Sequence, residues 1–224
     1  MEYNIEPVIQ YYLERQYLLK QLIAGVTTFF QESPSVSQYI HTIKSRLKDP
    51  SHLEDKLRRK YEEKKLIVTP DTLFNTITDL GGVRVLHLYP KQFDMIHKAF
   101  MHEIGSGQWK LFEDPIAYTW DPESKSHFEE LGLRTELRDT YYTSIHYVIR
   151  PNNTSYFPCC EIQVRTLFEE IWGEIDHSMN YPYPIDDIAC KEQLRVLAKL
   201  VSTGTRLADS IYNCKIAFEK NKPL

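Results

Sequence analysis

The chain has 224 residues, 42% of them hydrophobic, and a formal net charge of −4 at pH 7. This much apolar material can bury a substantial core, and the negative charge excludes a uniformly basic protein that wraps nucleic acid. No segment is long and apolar enough to predict a membrane span, and the N-terminus lacks the features of a secretory signal. The four cysteines show no CxxC spacing. We therefore expect reduced thiols, a cytoplasmic protein and no membrane partner.

The first part of the chain is predicted to be mainly helical. Apolar residues recur at helical spacing over residues 7–31, which predicts a long first helix. A strand is expected within residues 37–47, and a proline then opens a second helix over about 51–65, with acidic residues early and basic residues late. A short helix at about 70–77 leads to the apolar run 83–89, which predicts a buried strand.

The rest of the chain is predicted to change irregularly between helices and strands. Residues 142–150 and 157–165 have the pattern of an antiparallel hairpin with a long loop. The other predicted elements are helices at 91–104, 123–131, 166–180 and 187–218 and a strand at 108–112. Since helices and strands are interleaved irregularly, we expect an α+β fold with a mixed β-sheet flanked by helices.

One domain is expected over residues 1–224, with a catalytic core at about 36–180, the N-terminal helix 7–31 and a C-terminal helical extension at about 187–218. In helix 166–180 the apolar residues fall on one arc, which leaves Glu170, Glu174 and His177 on the other side. The last helix is expected to cover the core, although its apolar residues could also pair with a second copy. These residues are Leu194, Leu197, Leu200, Val201, Leu207 and Ile211.

A concentrated run of Lys and Arg lies between residues 44 and 65 of this otherwise acidic chain. Since the sequence has neither GxxxxGK[ST] nor GxGxxG, any bound phosphate must be held by side-chain cations. Arg46 and Lys48 come at the end of the predicted strand, and Lys56 lies far enough along the next helix to point back over the same place. The alternative is a solvated helical face whose charges pair with neighbouring carboxylates.

Two carboxylates lie where they could bind a divalent metal. Asp79 precedes an apolar strand, where it is either a capping residue or a metal ligand. Mg²⁺ typically takes one or two protein carboxylates, and Glu161 lies on a strand that could be the neighbour. The alternative pairs Glu161 with Arg165 or Arg84 in a structural ion pair. Arg84, inside the apolar strand, needs a carboxylate partner or a flat group to stack on.

Alternation along the last two predicted strands creates a polar row on each. Glu161, Gln163 and Arg165 project from one face, while the apolar residues between them project from the other. Tyr142 and His146 alternate in the same way, and an exposed tyrosine at a strand rim is a platform for a planar base. Taken singly, Tyr142 could be a core or interface aromatic and His146 a structural histidine.

These residues fall into blocks that resemble the synthetase domain of the RelA/SpoT family, in particular its single-domain small alarmone synthetases. The blocks occur in family order over roughly residues 40–180. They are RLK at 46–48 with Lys56 ten residues after Arg46, DLGGVRV at 79–85, YTSIHYV at 142–148, and EIQVRT at 161–166 followed by a helix with Trp172 and His177. A stringent factor of the long type is not expected in a chain of this length.

The resemblance implies a nucleotidyltransferase-like sheet and an enzyme that transfers the β,γ-pyrophosphate of ATP to the ribose 3′-hydroxyl of GDP or GTP, which gives (p)ppGpp. It implies Mg²⁺ as the cofactor, with Asp79 and Glu161 as catalytic residues and metal ligands. In this assignment Glu161 shares the metal or takes the proton from the attacking hydroxyl.

The resemblance also implies how the two nucleotides are bound. Arg46 and Arg84 would sandwich the adenine of ATP, and Lys48 and Lys56 would hold its phosphates. The acceptor would be bound by Arg138, Tyr142, His146, Gln163 and Arg165.

Two positions depart from the family pattern. Tyr141 stands where the family usually has Gly, which bears on the specificity for a guanine nucleotide, and His52 stands where Ser is usual, with Ser51 beside it as a substitute.

Two alternative functions stay open. The first is a toxic relative that modifies the 3′ CCA end of tRNA or adenine nucleotides and is neutralised by an antitoxin protein. The second is a catalytically inactive nucleotide-binding module.

Overall fold

The structure, a computed structural model, describes residues 3–152, 157–180 and 184–221. The elements of its first half are α1 (Glu6–Glu32), a 3₁₀ turn (Ser37–Tyr39), β1 (Thr42–Leu47), α2 (Pro50–Lys64), α3 (Leu73–Thr76), β2 (Gly81–His87) and α4 (Gln92–Ser106). The elements of its second half are β3 (Trp109–Thr119), α5 (Pro122–Glu130), β4 (Arg134–Leu137), β5 (Ser144–Pro151), β6 (Cys160–Thr166), α6 (Leu167–Asn180) and α7 (Ile188–Lys220).

Six strands form one sheet in the order β1-β2-β6-β5-β3-β4 among the described residues. The pairs β2/β6 and β3/β4 are parallel, and the other neighbours are antiparallel. This mixed sheet with helices around it confirms the predicted α+β class. The antiparallel pairing of β5 with β6 confirms the predicted hairpin, although residues 153–156 of its loop lie outside the described part of the chain.

One face of the sheet carries the main core, because alternate residues of β2, β5 and β6 point into it. The C-terminal half of α1 packs on this face through Leu22, Val26 and Phe30. The N-terminal half of α1 packs instead against α2 and α3 in a second cluster that contains Tyr12. The hydroxyl of Tyr12 donates a hydrogen bond to the carbonyl of Lys48 at the end of β1. Helix α1 therefore supports both the sheet and the turn from β1 to α2.

Local signals in the sequence explain where the helices next to the polar face begin. Asp49 caps α2, since its carboxylate accepts a hydrogen bond from the backbone N–H of Ser51 at 2.8 Å. Thr166 and Glu169 form a reciprocal capping box at α6: Glu169 Oε2 accepts from Thr166 N at 2.8 Å, and Thr166 Oγ1 accepts from Glu169 N at 3.2 Å. Both helices thus start directly after strands that carry predicted site residues.

The strands differ from the predictions in four places. Residues 37–39 form a 3₁₀ turn, and the strand begins only at Thr42. Strand β3 runs on to Thr119, past two register shifts that accommodate Pro115, whereas the sequence pattern ended it at residue 112. Strand β4 was not predicted, because its sequence RTEL is short and polar. Strand β5 starts at Ser144, so Tyr142 lies in the preceding loop.

The orientations of the last two helices also differ from the predictions. In α6 the expected apolar arc is partly exposed, with Ile171 at 48%, while Glu170 is buried at 2%. In α7 the expected core-covering residues divide into two groups. Leu200, Leu207 and Ile211 are exposed, whereas Leu194, Leu197 and Val201 are half-buried. Neither helix, nor any other that the structure describes, is both long and apolar enough to cross a membrane.

Candidate active site

The β1–α2 turn brings two lysines and Asp79 together at one end of β2. The Nζ atoms of Lys48 and Lys56 lie 3.0 Å and 2.8 Å from Oδ2 of Asp79. Asp79 does not cap a helix or turn, because its Oδ2 is bound by these two ammonium groups. Its other oxygen, Oδ1, is buried and has no hydrogen-bond partner among the described residues. The predicted phosphate-binding lysines therefore do converge, and they converge on a carboxylate.

The electrostatic balance of this corner favours an ionised Asp79. Burial by itself raises the pKa of the Asp79 carboxyl, but Lys56 and Lys48 outweigh burial and lower the pKa from 3.8 to about 2. A group with this pKa is fully charged at neutral pH. Asp79 is thus held as an anion by two cations that each keep further N–H donors.

The polar face of the sheet is built from rows that run across neighbouring strands. In one row Arg46 on β1 pairs in register with Gly82 on β2, and Gly82 pairs with Glu161 on β6. A Cβ at Gly82 would lie 3.8 Å from Nε of Arg46 and 3.6 Å from the backbone carbonyl oxygen of Glu161. These are ordinary van der Waals distances, so the row is closely packed at this position.

The next row aligns Arg84 on β2 with Gln163 on β6, and Gln163 with His146 on β5. Together the two rows line a cavity of about 310 Å³ that includes Arg46, Arg84, Glu161 and Gln163. The face predicted from alternation in β6 is therefore confirmed.

Glu161 is the centre of a hydrogen-bonded chain. Its Oε1 lies 3.3 Å from Nδ1 of His146, and its Oε2 accepts from Nε2 of Gln163 at 2.8 Å. Nε2 of His146 lies 3.0 Å from the hydroxyl of Tyr142. Burial raises the pKa of Glu161, but His146 and Gln163 lower it, and the net pKa lies below its ordinary value. An ionised Glu161 requires Nδ1–H of His146 as the donor, and in the neutral form of this histidine Nε2 then accepts from the hydroxyl of Tyr142.

Asp79 and Glu161 lie close enough to interact electrostatically, because the charge of Asp79 is among the groups that raise the pKa of Glu161. The register explains this proximity, since Asp79 comes three residues before Gly82 and Gly82 is the partner of Glu161. The structural ion pair of Glu161 with Arg165 or Arg84, which the sequence left open, does not form. The partners of Glu161 are His146 and Gln163.

Glu170 organises a cluster of cations that sequence reasoning missed as part of the site. This buried carboxylate contacts Lys44 at 2.8 Å, Arg84 at 3.2 Å and Arg165. Arg84 also pairs with the exposed Glu174. The sequence showed Glu170 and Glu174 on the polar side of α6, but it gave no sign that this side faces the sheet.

The predicted acceptor residues lie along one side of this network. The guanidinium of Arg165 is 3% exposed and lies 5.9 Å from the ring centroid of Tyr142. Gly173 on α6 allows this guanidinium to pass, since a Cβ there would lie 2.8 Å from its Nη1. Arg138 stacks 4.2 Å above the ring of Tyr118, a residue that the sequence did not single out. Tyr118 in turn meets the ring of His146 edge to face. Arg165 is thus a buried support beneath the acceptor side.

The residues fit a magnesium ion. Mg²⁺ prefers oxygen ligands and needs only one or two carboxylates, because water and substrate phosphates complete its octahedron. Asp79 offers a buried, unpartnered Oδ1, and Glu161 is a neighbouring anion. No group of three or more His, Cys, Asp or Glu side chains that could hold a metal occurs within the part of the chain that is described. Any metal here would therefore depend on the substrate for further ligands.

Comparison with known families agrees with this geometry. The family model for the region found in RelA / SpoT proteins matches residues 45–186, which include the end of β1 and all of β2, β5, β6 and α6. The chain belongs to the RelA/SpoT family. No curated protein matches the chain.

Solved structures of RelA/SpoT proteins have the same fold. A GTP pyrophosphokinase family protein from Streptococcus pneumoniae has a TM-score of 0.64 at 18% identity, over 98% of this chain and 96% of that chain. Small alarmone synthetase 1 from Bacillus subtilis, bound to its product pppGpp, has a TM-score of 0.58 at 22% identity, over 97% and 96%. The same synthetase bound to AMPCPP has a TM-score of 0.55 at 16% identity, over 88% and 91%.

The two departures from the RelA/SpoT pattern have structural counterparts. Tyr141 has φ = 58°, a left-handed conformation that favours glycine, and its ring packs edge to face on Trp120 at 5.0 Å. This position therefore has a left-handed backbone without a glycine. Beside His52, the hydroxyl of Ser51 donates to Asp49 at 2.6 Å. Ser51 is therefore engaged in capping α2 rather than directed to a substrate.

Proposed function

We propose that this protein transfers the β,γ-pyrophosphate of ATP to the 3′-hydroxyl of GDP or GTP and so makes (p)ppGpp. The observation that carries the proposal is the convergence of Lys48 and Lys56 on Asp79, just before β2. The groove lined by Arg46, Arg84 and Glu161 begins three residues later, at Gly82. The RelA/SpoT assignment supports it, as do related structures that hold pppGpp or AMPCPP. Transfer of this kind depends mainly on positioning and charge neutralisation, which this groove can supply.

ATP occupies the donor side in this proposal. Arg46 and Arg84 line the groove and bind the adenine between their guanidinium planes, a contact that contributes about 0.5 to 2 kcal/mol per face. Arg84 is held by Glu170 and Glu174. Lys48 and Lys56 keep free N–H donors beyond those bound to Asp79, and these donors bind the phosphates.

Asp79 and Glu161 hold Mg²⁺, which when bound would neutralise the charge that develops on the transferred phosphates. The 3′-oxygen of the acceptor attacks the β-phosphorus, the bond from that phosphorus to the α-phosphate oxygen breaks, and AMP leaves. Glu161 takes the proton of the attacking hydroxyl. Its lowered pKa keeps it ionised, and His146 and Gln163 fix its orientation.

The acceptor lies along Tyr142, with its base on the tyrosine ring. The hydroxyl of Tyr142 is anchored on His146, and Arg165 supports the ring from the buried side. Arg138 contributes the remaining positive charge at the rim, where it lies over Tyr118. Gln163 joins the two halves of the site through its hydrogen bond to Glu161.

The decisive experiment incubates the protein with γ-labelled ATP, Mg²⁺ and one acceptor at a time: GDP, GTP, ADP or bulk tRNA. We expect label in the guanine nucleotides and none in the tRNA. Asp79→Asn and Glu161→Gln should abolish transfer without unfolding the protein, because each removes one charge with little change in volume. Full activity of both variants would refute the assignment, and a protein inactive on every acceptor would support a nucleotide-binding module.

One observation favours the alternative acceptor, tRNA. Helix α2 exposes Arg59 and Lys64, and its C-cap residue Lys65 is exposed as well. Burial and the neighbouring Lys56 and Lys64 lower the pKa of Lys60, which shows how concentrated the positive charge is. Such a surface could follow a nucleic-acid backbone. Label found only in tRNA would establish this toxic version, for which an antitoxin partner is the further expectation.

Self-association through the exposed apolar residues of α7 is a separate proposal, tested by light scattering.

A further inference from the structure

A second cavity, of about 330 Å³, lies behind the sheet. It is lined by Ile145 of β5, which pairs in register with the core residue Val164, so it opens on the face opposite Glu161. His87 and Thr166, the last residues of the parallel strands β2 and β6, also line it. The carboxyl ends of parallel strands are frequent ligand sites in open α/β sheets. Helix α7 covers the cavity, which no residue of the proposed active site lines.

Aromatic rings form much of the wall. Trp120 and Tyr141 meet edge to face with ring centroids 5.0 Å apart, and Trp172 contributes a third ring. Tyr141 is also one of two described non-glycine residues with positive φ. Backbone strain of this kind tends to persist at ligand sites, where the surroundings enforce it. Since Tyr142 is the next residue, the same short loop borders both this cavity and the acceptor side.

Two hydrogen-bond acceptors on the wall are unused. Buried His87 has its pKa lowered to about 4 by burial, so its ring is neutral at pH 7. Its Nδ1 bonds the carbonyl of Tyr89 at 3.0 Å and must be the donor, which leaves Nε2 as an acceptor. Glu169 uses only Oε2 in its capping box with Thr166. Within the described residues neither His87 Nε2 nor Glu169 Oε1 has a hydrogen-bond partner.

The charges around the cavity disfavour an anionic ligand. Arg206 is already paired with Asp121 at 2.9 Å and with Glu123 at 2.7 Å. Lys91 donates to Asn213. The carboxylates of the lining outnumber its two cations and comprise Asp121, Glu123, Glu169 and Asp209. Among the described residues of the lining, a phosphate would find only the Lys91 ammonium without a paired carboxylate, and it would face the repulsion of the acidic lining.

From these contacts we infer that the cavity is a ligand site for a planar heterocycle that carries N–H donors and no phosphate, such as a purine nucleoside. The ring would pack against the aromatic wall that Trp120 and Tyr141 form, and its N–H groups would donate to His87 Nε2 and Glu169 Oε1. The site does not depend on the proposed transfer reaction, since it shares no residue with the groove.

Titration with adenosine and guanosine tests this inference, with tryptophan fluorescence as the readout because Trp120 and Trp172 both line the cavity. At least one nucleoside should give a saturable change, and its 5′-monophosphate should bind about tenfold more weakly or worse. His87→Leu removes the acceptor and should weaken binding by at least about tenfold. Ser202→Phe, which fills the cavity from α7, should do the same if His87→Leu does not fold.

Arg46→Ala is the matched control, since it alters the donor groove and leaves the cavity intact. The tryptophan signal on addition of the nucleosides should be unchanged in this variant, since no tryptophan lines the donor groove. The inference is overturned if neither nucleoside gives a saturable change, if the monophosphate binds more tightly than its nucleoside, or if Arg46→Ala abolishes the signal while Ser202→Phe does not.

Discussion

Lys48 and Lys56 keep the carboxylate of Asp79 ionised in the folded protein. Its folded pKa, about 2, lies below the ordinary 3.8, so its ionised form stabilises the protein fully above about pH 5. That stabilisation, on the order of 2 kcal/mol, is lost as the pH falls toward the folded pKa.

Asp79→Asn should therefore change how stability depends on acid. The free energy of unfolding of the original protein should fall by about 1 kcal/mol more than that of the variant between about pH 5 and pH 3. Urea unfolding at several pH values measures this difference. The exposed Asp55 serves as control, since the free energy of unfolding of Asp55→Asn should depend on pH as that of the original protein does. If the free energy of unfolding of Asp79→Asn and that of the original protein depend on pH in the same way, the two lysines do not stabilise the ionised Asp79.

Tyr141 combines an unfavourable backbone conformation with a favourable ring contact. Tyr141→Gly relieves the left-handed strain, worth about 1 kcal/mol, and loses the ring contact with Trp120, worth a similar amount. Tyr141→Ala loses the ring and keeps the strain. We expect the Gly variant to be more stable than the Ala variant by about 1 kcal/mol in urea unfolding. Equal stabilities would mean that this backbone conformation is not strained.

At the scale of elements, α6 is attached to the sheet by a buried acid rather than by its apolar arc. Glu170→Gln leaves Lys44, Arg84 and Arg165 without their shared anion and should cost about 3 to 5 kcal/mol of stability. Glu174→Gln is the matched control, since Glu174 is mostly exposed and contacts only Arg84 of this cluster. It should cost less than about 1 kcal/mol. A difference between the two variants of less than about 1 kcal/mol in urea unfolding would contradict this account.

This helix also shows what the sequence could and could not predict. Apolar periodicity identified α1 and α6, a proline and the charge pattern identified α2, and strand alternation identified the polar face of β6. The orientation of α6 was wrong because the prediction buried its apolar arc, while Glu170 is buried by cations from three strands. Those partners lie as far as 126 residues away in the chain, so no local pattern reports them.

The start of β5 was missed for a different reason. The alternation of Tyr142 with His146 is typical of a strand. The backbone of Tyr141 is left-handed rather than extended, and the strand begins only at Ser144. Such a conformation is usually signalled by glycine, and no glycine is present here. For the site itself, the proximity of Asp79 and Glu161 followed from assuming that β2 and β6 are neighbours, which the sequence alone could not establish.

At the scale of the whole molecule, the two acids of the groove are already balanced by protein cations and donors. The fold should therefore not depend on a metal ion. Chelation with EDTA should abolish pyrophosphate transfer and leave the melting temperature nearly unchanged, as checked by an activity assay and thermal unfolding of the same sample. Re-addition of Mg²⁺ should restore the activity. A large drop in melting temperature on chelation would instead indicate a structural metal.

Helix α1 has a consequence beyond the core that it covers. Because the hydroxyl of Tyr12 is bonded to the carbonyl of Lys48, the N-terminal helix fixes the backbone that carries one of the two donor lysines. A binding protein that shifts the N-terminal half of this helix would therefore disturb the binding of the ATP phosphates without entering the groove.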